Sequence, residues 1–320
     1  MQAVAVMEFG GTPSLLELPR PEPGPHEVLV RLAAAGVNPM DQAVADGQFE
    51  GRLPHTFPLV LGFDGAGEVA ATGGAVTRFA VGDEVYGQFF HPPLGRSGSY
   101  AEYAVVPQRM DNGAIGRAPR GLPPGRAAAA PTAAMTAIGL LDEVGLRAGQ
   151  TVLIVGASGG VGCFATQLAA AVGARVIATA RGDAAEQLRA LGAAQTVDYA
   201  AAPLDEQVRA AHLGGVDVLL DLVSNGGSGA FEANASLVRD GGTAASIVFA
   251  ASRAALDGRR VRAFDYLLRD KATLLDRLTA DLDAGRLRVP VEAEVPLRDA
   301  PALLARRRRG GARGKTVVRA

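Results

Sequence analysis

The stretch that most constrains the fold of this chain is Thr151–Gly162, with the sequence TVLIVGASGGVG. Its apolar run Val152–Val155 is typical of a strand covered on both faces of a parallel sheet. The glycines that follow allow the backbone to turn sharply and approach a ligand, and residues 163–172 then repeat apolar side chains at helical spacing. Because free amides at a helix start attract an anion, this segment predicts a pyrophosphate-binding turn.

The glycine turn lacks the first glycine of the usual dinucleotide motif, which is replaced by Ala157, so the surrounding pattern has to confirm it. Strands are predicted after it at 175–179, 195–198, 216–220, 243–248 and 261–264. Helices are predicted at 126–143 with an interruption near Pro131, at 181–191, at 231–238 and at 267–285. The alternation predicts an α/β fold with a Rossmann doubly wound parallel sheet of six strands.

The length of 320 residues is more than one small core needs and favours two domains. Residues 122–265 carry the alternating pattern and are predicted to be the dinucleotide-binding domain. Residues 1–121 are rich in glycine, proline and short strands such as Val28–Leu32, which indicates a β-rich domain. We expect residues 266–320 to pack back onto that domain, with substrate bound in a cleft between the two.

The net charge of −1 gives no reason to expect nucleic acid or an anionic membrane as a partner. Cys163 is the one cysteine, so a disulfide framework and a cysteine-based zinc site are excluded, and a cytoplasmic location is expected. A buried structural role is favoured for this thiol over a reactive one. The chain has two lysines, Lys271 and Lys315, which rules out a lysine general acid in the first 270 residues.

Several segments, together with the glycine turn, resemble the medium-chain dehydrogenase/reductase superfamily. The matching segments are GVNPMD at 36–41, PLVLGFDGAG at 58–67, VGDEVYG at 81–87, TAAMTA at 132–137 and RGK at 313–315. The similarity is to the zinc-independent quinone oxidoreductase and enoyl reductase branch. It implies a GroES-like catalytic domain beside the Rossmann domain, and a homodimer formed through the edge strand at 261–264.

The zinc alcohol dehydrogenases of this superfamily carry a cysteine near Val37 and a Gly-His-Glu where this chain has Gly62-Phe63-Asp64. Both ligands are absent here, so no metal site is predicted. The histidines at 26, 55, 91 and 212 have no paired spacing that would replace those ligands.

The choice of cofactor depends on the end of the second Rossmann strand, which reads Ala178-Thr179-Ala180-Arg181 without a carboxylate. An acidic residue there would take the ribose hydroxyls of NAD, whereas an arginine pairs with the additional phosphate of NADP. NADPH is therefore the expected cofactor. Asp183 lies two residues further and could bind the ribose hydroxyls, so NAD remains a possible cofactor. The alternative to a phosphate-binding role for Arg181 is a solvated side chain at the start of the next helix.

The resemblance also implies which residues contact the cofactor. Ser158, Gly160 and Val161 would hold the pyrophosphate, and Tyr199 would lie near the adenosine phosphate. Gly159 and Thr179 are also expected to bind the cofactor. Leu222, Val223, Ile247 and Val248 would line the nicotinamide side, and Asn38, Thr136 and Arg313 would reach the cofactor from the cleft.

Without a metal, the expected chemistry is hydride transfer from NADPH to a small electron-poor substrate, either a quinone or a conjugated enone or enoyl thioester. Asn38, Asp41 and Tyr86 are the candidate catalytic residues. Phe49 occupies the segment where quinone reductases commonly carry a tyrosine, so the proton is expected from water, Asp41, Tyr86 or His91. Asp41 has a structural alternative as a helix-start residue. The alternative function is an NADPH-binding sensor or structural protein with little turnover.

Overall fold

The computed structural model describes residues 1–182, 184–225, 227–251, 258, 260–307 and 314–320. The chain separates into two units, of which the first contains residues 1–135 and 270–320 and the second contains residues 136–269. Each unit has its own sheets and its own apolar core.

The strands are β1 (Gln2–Val6), β2 (Ser14–Glu17), β3 (Glu27–Gly36), β4 (Leu59–Val60), β5 (Asp64–Thr72), β6 (Glu84–Gln88), β7 (Tyr103–Pro107), β8 (Ala114–Arg117), β9 (Thr151–Val155), β10 (Arg175–Ala180), β11 (Gln195–Asp198), β12 (Val216–Asp221), β13 (Val238–Ser246), β14 (Arg262–Asp265), β15 (Val291–Pro296) and β16 (Lys315–Arg319). The helices are α1 (Pro39–Ala45), α2 (Pro124–Ala129), α3 (Pro131–Val144), α4 (Gly160–Ala171), α5 (Ala184–Ala190), α6 (Leu204–Ala211), α7 (Ala230–Ala235), α8 (Lys271–Asp283) and α9 (Ala300–Arg307), with a 3₁₀ turn at Leu297–Asp299.

The second unit contains a six-stranded sheet in the order β11-β10-β9-β12-β13-β14, and every pair in it is parallel. The strand order reverses between β9 and β12, which is the switch point of a doubly wound sheet. The sequence prediction of an α/β fold with six parallel strands is confirmed. The apolar run of β9 is fully buried from Val152 to Ile154, as expected for a strand covered on both faces.

The first unit is β-rich. A seven-stranded sheet runs β15-β16-β3-β5-β6-β8, with β7 added to β3, and a three-stranded sheet runs β2-β1-β4. The long strand β3 pairs with β5, β7 and β16, so the C-terminal strand of the chain is built into the sheet of the N-terminal segment. The principal core beside these sheets contains Phe63, Phe90 and Tyr100, packed with Leu303 of α9.

Several element bounds differ from the sequence prediction. The helix predicted from residue 267 begins at Lys271, because Asp270 adopts φ +48° and ψ +40°, a left-handed conformation that cannot continue a helix. The helix predicted at 126–143 is divided into α2 and α3 at Pro131, which lacks an amide hydrogen. The strand predicted at 243–248 begins at Val238 and ends at Ser246, so Ile247 and Val248 follow it.

Within the described residues, no helix is both long enough and apolar enough to span a membrane.

Candidate functional site

The glycine turn connects β9 to α4 in the second unit. Gly156 has φ +84°, which glycine tolerates best, and Gly159 is the residue that caps α4. A Cβ on Gly162 would lie 2.4 Å from the carbonyl oxygen of Gly156, so the first turn of the helix packs directly on the turn backbone. The first turn of α4, which the structure describes in full, has neither an acidic side chain nor a side-chain cap. Its amides are therefore available to an anion.

The hydroxyl of Thr179 fixes the shape of this turn. It accepts a hydrogen bond from the amide of Gly156 at 3.0 Å and donates to the carbonyl of Ile154 at 3.3 Å. Thr179 belongs to β10 and lies beside β9 in the sheet, so one strand holds the loop that leaves the other. The sequence predicts Thr179 as a cofactor-binding residue, and in the structure its hydroxyl hydrogen-bonds to the backbone of the turn.

Arg181 and Tyr199 follow the carboxyl ends of the neighbouring strands β10 and β11. The guanidinium of Arg181 lies 5.9 Å from the centroid of the Tyr199 ring, and both side chains are exposed. An exposed cation over an exposed ring at this edge of a doubly wound sheet suits a phosphate carried next to a base. Asp183, the residue that kept NAD open, lies outside the described residues.

The predicted nicotinamide-side residues follow β12 and β13 at the same edge of the sheet. Val223 and Val248 are exposed, whereas Leu222 is buried. Asp221, which the sequence interpretation missed, is fully buried at the end of β12 and accepts hydrogen bonds from the amides of Val223 and Ser224. This carboxylate therefore holds the backbone of the predicted nicotinamide side. The sequence signal that could have identified it is an aspartate directly after the apolar run Val218–Leu220.

A cluster of buried polar side chains lies in the first unit around Asn38. The amide nitrogen of the Asn38 side chain donates to Asp64 at 2.8 Å, and its oxygen accepts from the ammonium of Lys315 at 2.5 Å. Lys315 also donates to the carbonyl of Val37 at 3.0 Å. Asn38, Asp64 and Lys315 are called the Asn38 cluster below.

Thr132, at the start of α3, extends this cluster. Its hydroxyl donates to Asp64 at 2.6 Å and accepts from the side-chain amide of Gln88 at 2.6 Å. The backbone amide of Thr132 also donates to Asp64. Thr136 is buried one turn further along α3. Residues 64, 88, 132 and 315 were not among the predicted site residues, although three of them fall in the segments that carry the family resemblance.

The predicted catalytic residues are not all brought together. Asp41, the third residue of α1, is adjacent to the Asn38 cluster and accepts hydrogen bonds from the backbone amide of Asn38 at 2.7 Å and from the hydroxyl of Tyr100 at 2.5 Å. The hydroxyl of Tyr86 instead pairs with Thr279 of α8 at 2.8 Å. His91 is buried against the carbonyl of Val105. Arg313 lies outside the described residues.

Burial controls the protonation of these groups. It raises the pKa of Asp41 from 3.8 to about 7, although the hydrogen bonds from Tyr100 and Asn38 act in the opposite direction. Burial also raises the pKa of Asp64, opposed by the positive charge of Lys315 and the hydrogen bond from Thr132. The pKa of Tyr86 is raised well above its ordinary value by burial. Tyr86 is therefore a poor acid at neutral pH.

The positions that bind zinc in related dehydrogenases do not fit a metal in this chain. Phe63, in place of the histidine ligand, is buried in the apolar core, and neither Val37 nor its neighbours Gly36 and Asn38 is a cysteine. Cys163 is buried in α4, and burial raises its pKa to about 12, so it is a structural thiol. Within the described residues, no group of three or more His, Cys, Asp or Glu side chains is placed to hold a metal ion.

Comparison with known families gives two matches along the chain. Residues 24–113 match the alcohol dehydrogenase GroES-like domain, and residues 160–274 match the zinc-binding dehydrogenase family. The first match lies in the β-rich unit, and the second begins at the first residue of α4.

Relatives cover nearly the whole chain. The mitochondrial NAD(P)H oxidoreductase RTN4IP1 of Mus musculus is 32% identical over 92% of this chain and 82% of its own length. The structure of the quinone oxidoreductase from Coxiella burnetii superposes with a TM-score of 0.86 at 29% identity, covering 100% of this chain and 99% of that one. A mycobacterial protein solved as a complex with NADPH gives a TM-score of 0.84 at 27% identity, with 100% of both chains covered.

The relatives and the fold lead to one assignment. The parallel sheet with its glycine turn and the separate β-rich unit give the domain layout of these solved structures. The chain belongs to the quinone oxidoreductase branch of the medium-chain dehydrogenase/reductase superfamily and is an NAD(P)H-dependent oxidoreductase.

Proposed function

We propose that this protein uses NADPH, without a metal, to reduce a small electron-poor acceptor, either a quinone or a conjugated enone or enoyl thioester. The observation that carries this proposal is the glycine turn at the switch point of the sheet, flanked by the exposed pair Arg181 and Tyr199. The turn offers amides to a diphosphate, and the pair offers a cation and a ring to the far end of the same dinucleotide.

The preference for NADPH over NADH is argued from charge. The guanidinium of Arg181 complements the additional phosphate of NADPH through two parallel hydrogen bonds. β10 ends at Ala180, so that strand supplies no carboxylate to take the ribose hydroxyls of NADH. A mycobacterial structure of the same fold was solved with NADPH, which supports the same choice of cofactor.

The residues around the cofactor would orient it and exclude water. When bound, NADPH supplies the hydride, so the protein itself does not need a redox group. The amides at the start of α4 would hold the diphosphate, and Thr179 keeps the turn in the conformation that presents them. Thr136, at a family position that reaches the cofactor, is buried in α3.

Metal independence is proposed from the donor set. Phe63 replaces the histidine ligand of the zinc dehydrogenases, and neither Val37 nor its neighbours Gly36 and Asn38 supplies their cysteine, so the thiolate and imidazole of a catalytic zinc site are both missing. Activity that survives exhaustive dialysis against a chelator, with elemental analysis of the dialysed protein, supports this part of the proposal. Loss of activity that added zinc restores contradicts it.

The first experiment is NADPH oxidation followed by absorbance with a simple quinone and a 2-enoyl thioester in parallel assays, and NADH in place of NADPH as the control. Turnover of either acceptor that is faster with NADPH than with NADH supports the proposal. Tight NADPH binding with neither acceptor reduced contradicts it and favours an NADPH-binding sensor or structural protein.

Two further properties are proposed, a homodimer from the resemblance and a cytoplasmic location from the single cysteine. β14 is the last strand of the six-stranded sheet, and its outer edge suits a homodimer that joins two such sheets. Light scattering of the purified protein tests this oligomeric state, and a monomer at micromolar concentration contradicts it. A cytoplasmic location is tested by cell fractionation.

A further inference from the structure

We propose that the second unit binds a small carboxylate with an apolar body in a cavity at the amino edge of its parallel sheet. The cavity has a volume of about 280 Å³ and lies between the end of α6 and the start of β13. The glycine turn follows the carboxyl end of β9, so it leaves the opposite edge of the same sheet. The cavity is therefore separate from the proposed nucleotide site.

An irregularity in β13 forms one wall of the cavity. The pairing of β13 with β12 is interrupted after Val238 and resumes at Thr243, so residues 239–242 lie opposite a single residue of β12. Insertions of this kind cost ladder hydrogen bonds, and they re-aim side chains beside functional sites. Here the insertion places Arg239 and Asp240 along the cavity wall.

An ion pair fixes this wall. The Nε and Nη2 atoms of Arg239 lie 2.7 Å and 2.6 Å from one carboxylate oxygen of Asp217, and its Nη1 donates to the carbonyl of Asp240 at 3.1 Å. The other oxygen of Asp217 accepts from the amide of Thr151 at 2.7 Å. The charge of Arg239 is thus offset by Asp217, and the wall is ordered before a ligand binds, which lowers the entropic cost of binding.

Arg209 supplies the positive charge for the ligand. It lies in the last turn of α6, and its Nη2 donates to the hydroxyl of Ser236 at the end of α7 at 2.9 Å. A cation in this turn also stabilises the helix dipole, but the contact with Ser236 shows that the side chain reaches from α6 to α7 beside the cavity. A guanidinium has several N–H donors in a planar fork and binds a carboxylate through two of them.

The floor of the cavity is apolar. Val208, Leu237 and Val238 line it, and all three are buried. Sites for small molecules combine such a floor with a few placed polar groups. The volume lies just below the range of about 300–1,000 Å³ that is usual for drug-sized ligands, so the cavity suits a smaller molecule.

The remaining titratable groups of the lining favour a ligand with one negative charge. The structure describes every lining residue, and besides the two arginines these groups are His212 and Asp240. Burial and the positive charge of Arg175 lower the pKa of His212, so its ring is neutral at neutral pH. Asp240 is exposed and opposes a ligand of higher negative charge. A monocarboxylate therefore fits this cavity better than a polyphosphate.

The probe for this cavity is 4-fluorobenzoate, which joins one carboxylate to an apolar ring and is followed by ¹⁹F NMR. The neutral 4-fluorobenzamide has nearly the same shape and reports the contribution of the charge. Arg209→Met removes the proposed partner of the carboxylate. Arg189→Met is the matched control, because Arg189 lies in the last turn of α5 and donates to the hydroxyl of Thr196 at 2.7 Å in the same manner.

The native protein should bind 4-fluorobenzoate at least about 10-fold more tightly than the amide, the value of a charge-assisted hydrogen bond. Arg209→Met should weaken the carboxylate by about 10-fold or more, whereas Arg189→Met and saturating NADP⁺ should leave its affinity unchanged. No binding to the native protein at millimolar probe overturns the proposal. Equal affinity for acid and amide, an equal loss in Arg189→Met, or displacement by NADP⁺ also overturns it.

A second variant adds a charge without removing a contact. Gly214 lines the cavity, and a Cβ there meets no atom within 4 Å, so an aspartate side chain has room. Gly214→Asp should weaken 4-fluorobenzoate by about 3-fold or more through repulsion, while Gly214→Asn, the neutral control, should not. Thermal unfolding and NADPH titration establish that both variants are folded. Unchanged carboxylate affinity in a folded Gly214→Asp protein overturns the placement of the ligand in this cavity.

Discussion

The ammonium of Lys315 lies 3.8 Å from the carboxylate of Asp64, and both side chains are buried. Asn38 contacts both groups through its side-chain amide, so three polar residues from β16, β5 and the loop before α1 satisfy one another. A buried ion pair of this kind is costly to assemble and costlier still to break.

Replacing Lys315 with methionine should lower the free energy of unfolding by about 3–5 kcal/mol, because Asp64 remains buried without its counter-charge. Urea denaturation followed by circular dichroism measures the loss. The control is Arg239→Met, which removes the partner of Asp217 from an exposed pair and should cost at most about 1 kcal/mol. Adding Asp64→Asn to Lys315→Met should recover part of the loss. A single-variant loss as small as that of the control contradicts this account.

The stability of the protein should depend on pH through Asp41. Its pKa is raised from 3.8 to about 7 in the folded state, so the folded protein binds the proton more tightly than the unfolded chain. The stabilising effect is fully present below about pH 4 and is lost as the pH rises through about 7, by at most about 1.4 kcal/mol per pH unit.

Asp41→Asn should flatten this dependence, because asparagine keeps an oxygen acceptor for Tyr100 and does not titrate. The measurement is the free energy of unfolding from pH 4 to 8 for the native protein and the variant. The difference between the two curves isolates Asp41 from Asp64, whose pKa is also raised. Parallel curves would show that Asp41 is ionised throughout this range.

Arg181→Ala should weaken NADPH binding by about 10-fold to 100-fold, the value of a charge-assisted hydrogen bond of about 1.5–3 kcal/mol, and leave NADH nearly unchanged. Arg175→Ala, at the opposite end of β10, removes the same charge away from the predicted phosphate and is the matched control. Isothermal titration with both nucleotides gives the comparison. Equal losses of NADPH and NADH affinity contradict the phosphate assignment.

Gly162→Ala should reduce NADPH binding and destabilise the protein by about 1–3 kcal/mol, because a Cβ would lie 2.4 Å from the Gly156 carbonyl. Gly214→Ala in the same unit is the control, since a Cβ there meets no atom within 4 Å. Nucleotide titration and thermal unfolding are compared for the two variants. Native-like binding in Gly162→Ala would show that the turn does not need this close packing.

The parallel sheet could be predicted because its information is local. The apolar run at Val152–Val155 and the glycines after it occur within one short segment, and the later strands repeat the pattern at regular intervals. The first residue of α8 was harder to predict from the sequence. Leu267 and Leu268 fit the helical spacing, but the left-handed conformation of Asp270 prevents the helix from starting before Lys271.

The polar clusters could not be predicted from local pattern. Lys315 and Asp64 meet only because β16 joins the sheet beside β3, which in turn pairs with β5. Their contact depends on strand pairing between distant parts of the chain.

The hydroxyl of Thr179 has a consequence for redesign of cofactor preference. The Thr179 side chain on β10 hydrogen-bonds to the turn that follows β9. The strand that leads to the proposed adenosine phosphate site therefore also fixes the turn proposed to bind the diphosphate. Grafting a NADH-type loop after β10 therefore has to retain a hydroxyl at position 179. A graft that replaces Thr179 with the isosteric valine would change the cofactor preference but remove both hydrogen bonds to the turn, and diphosphate binding would weaken.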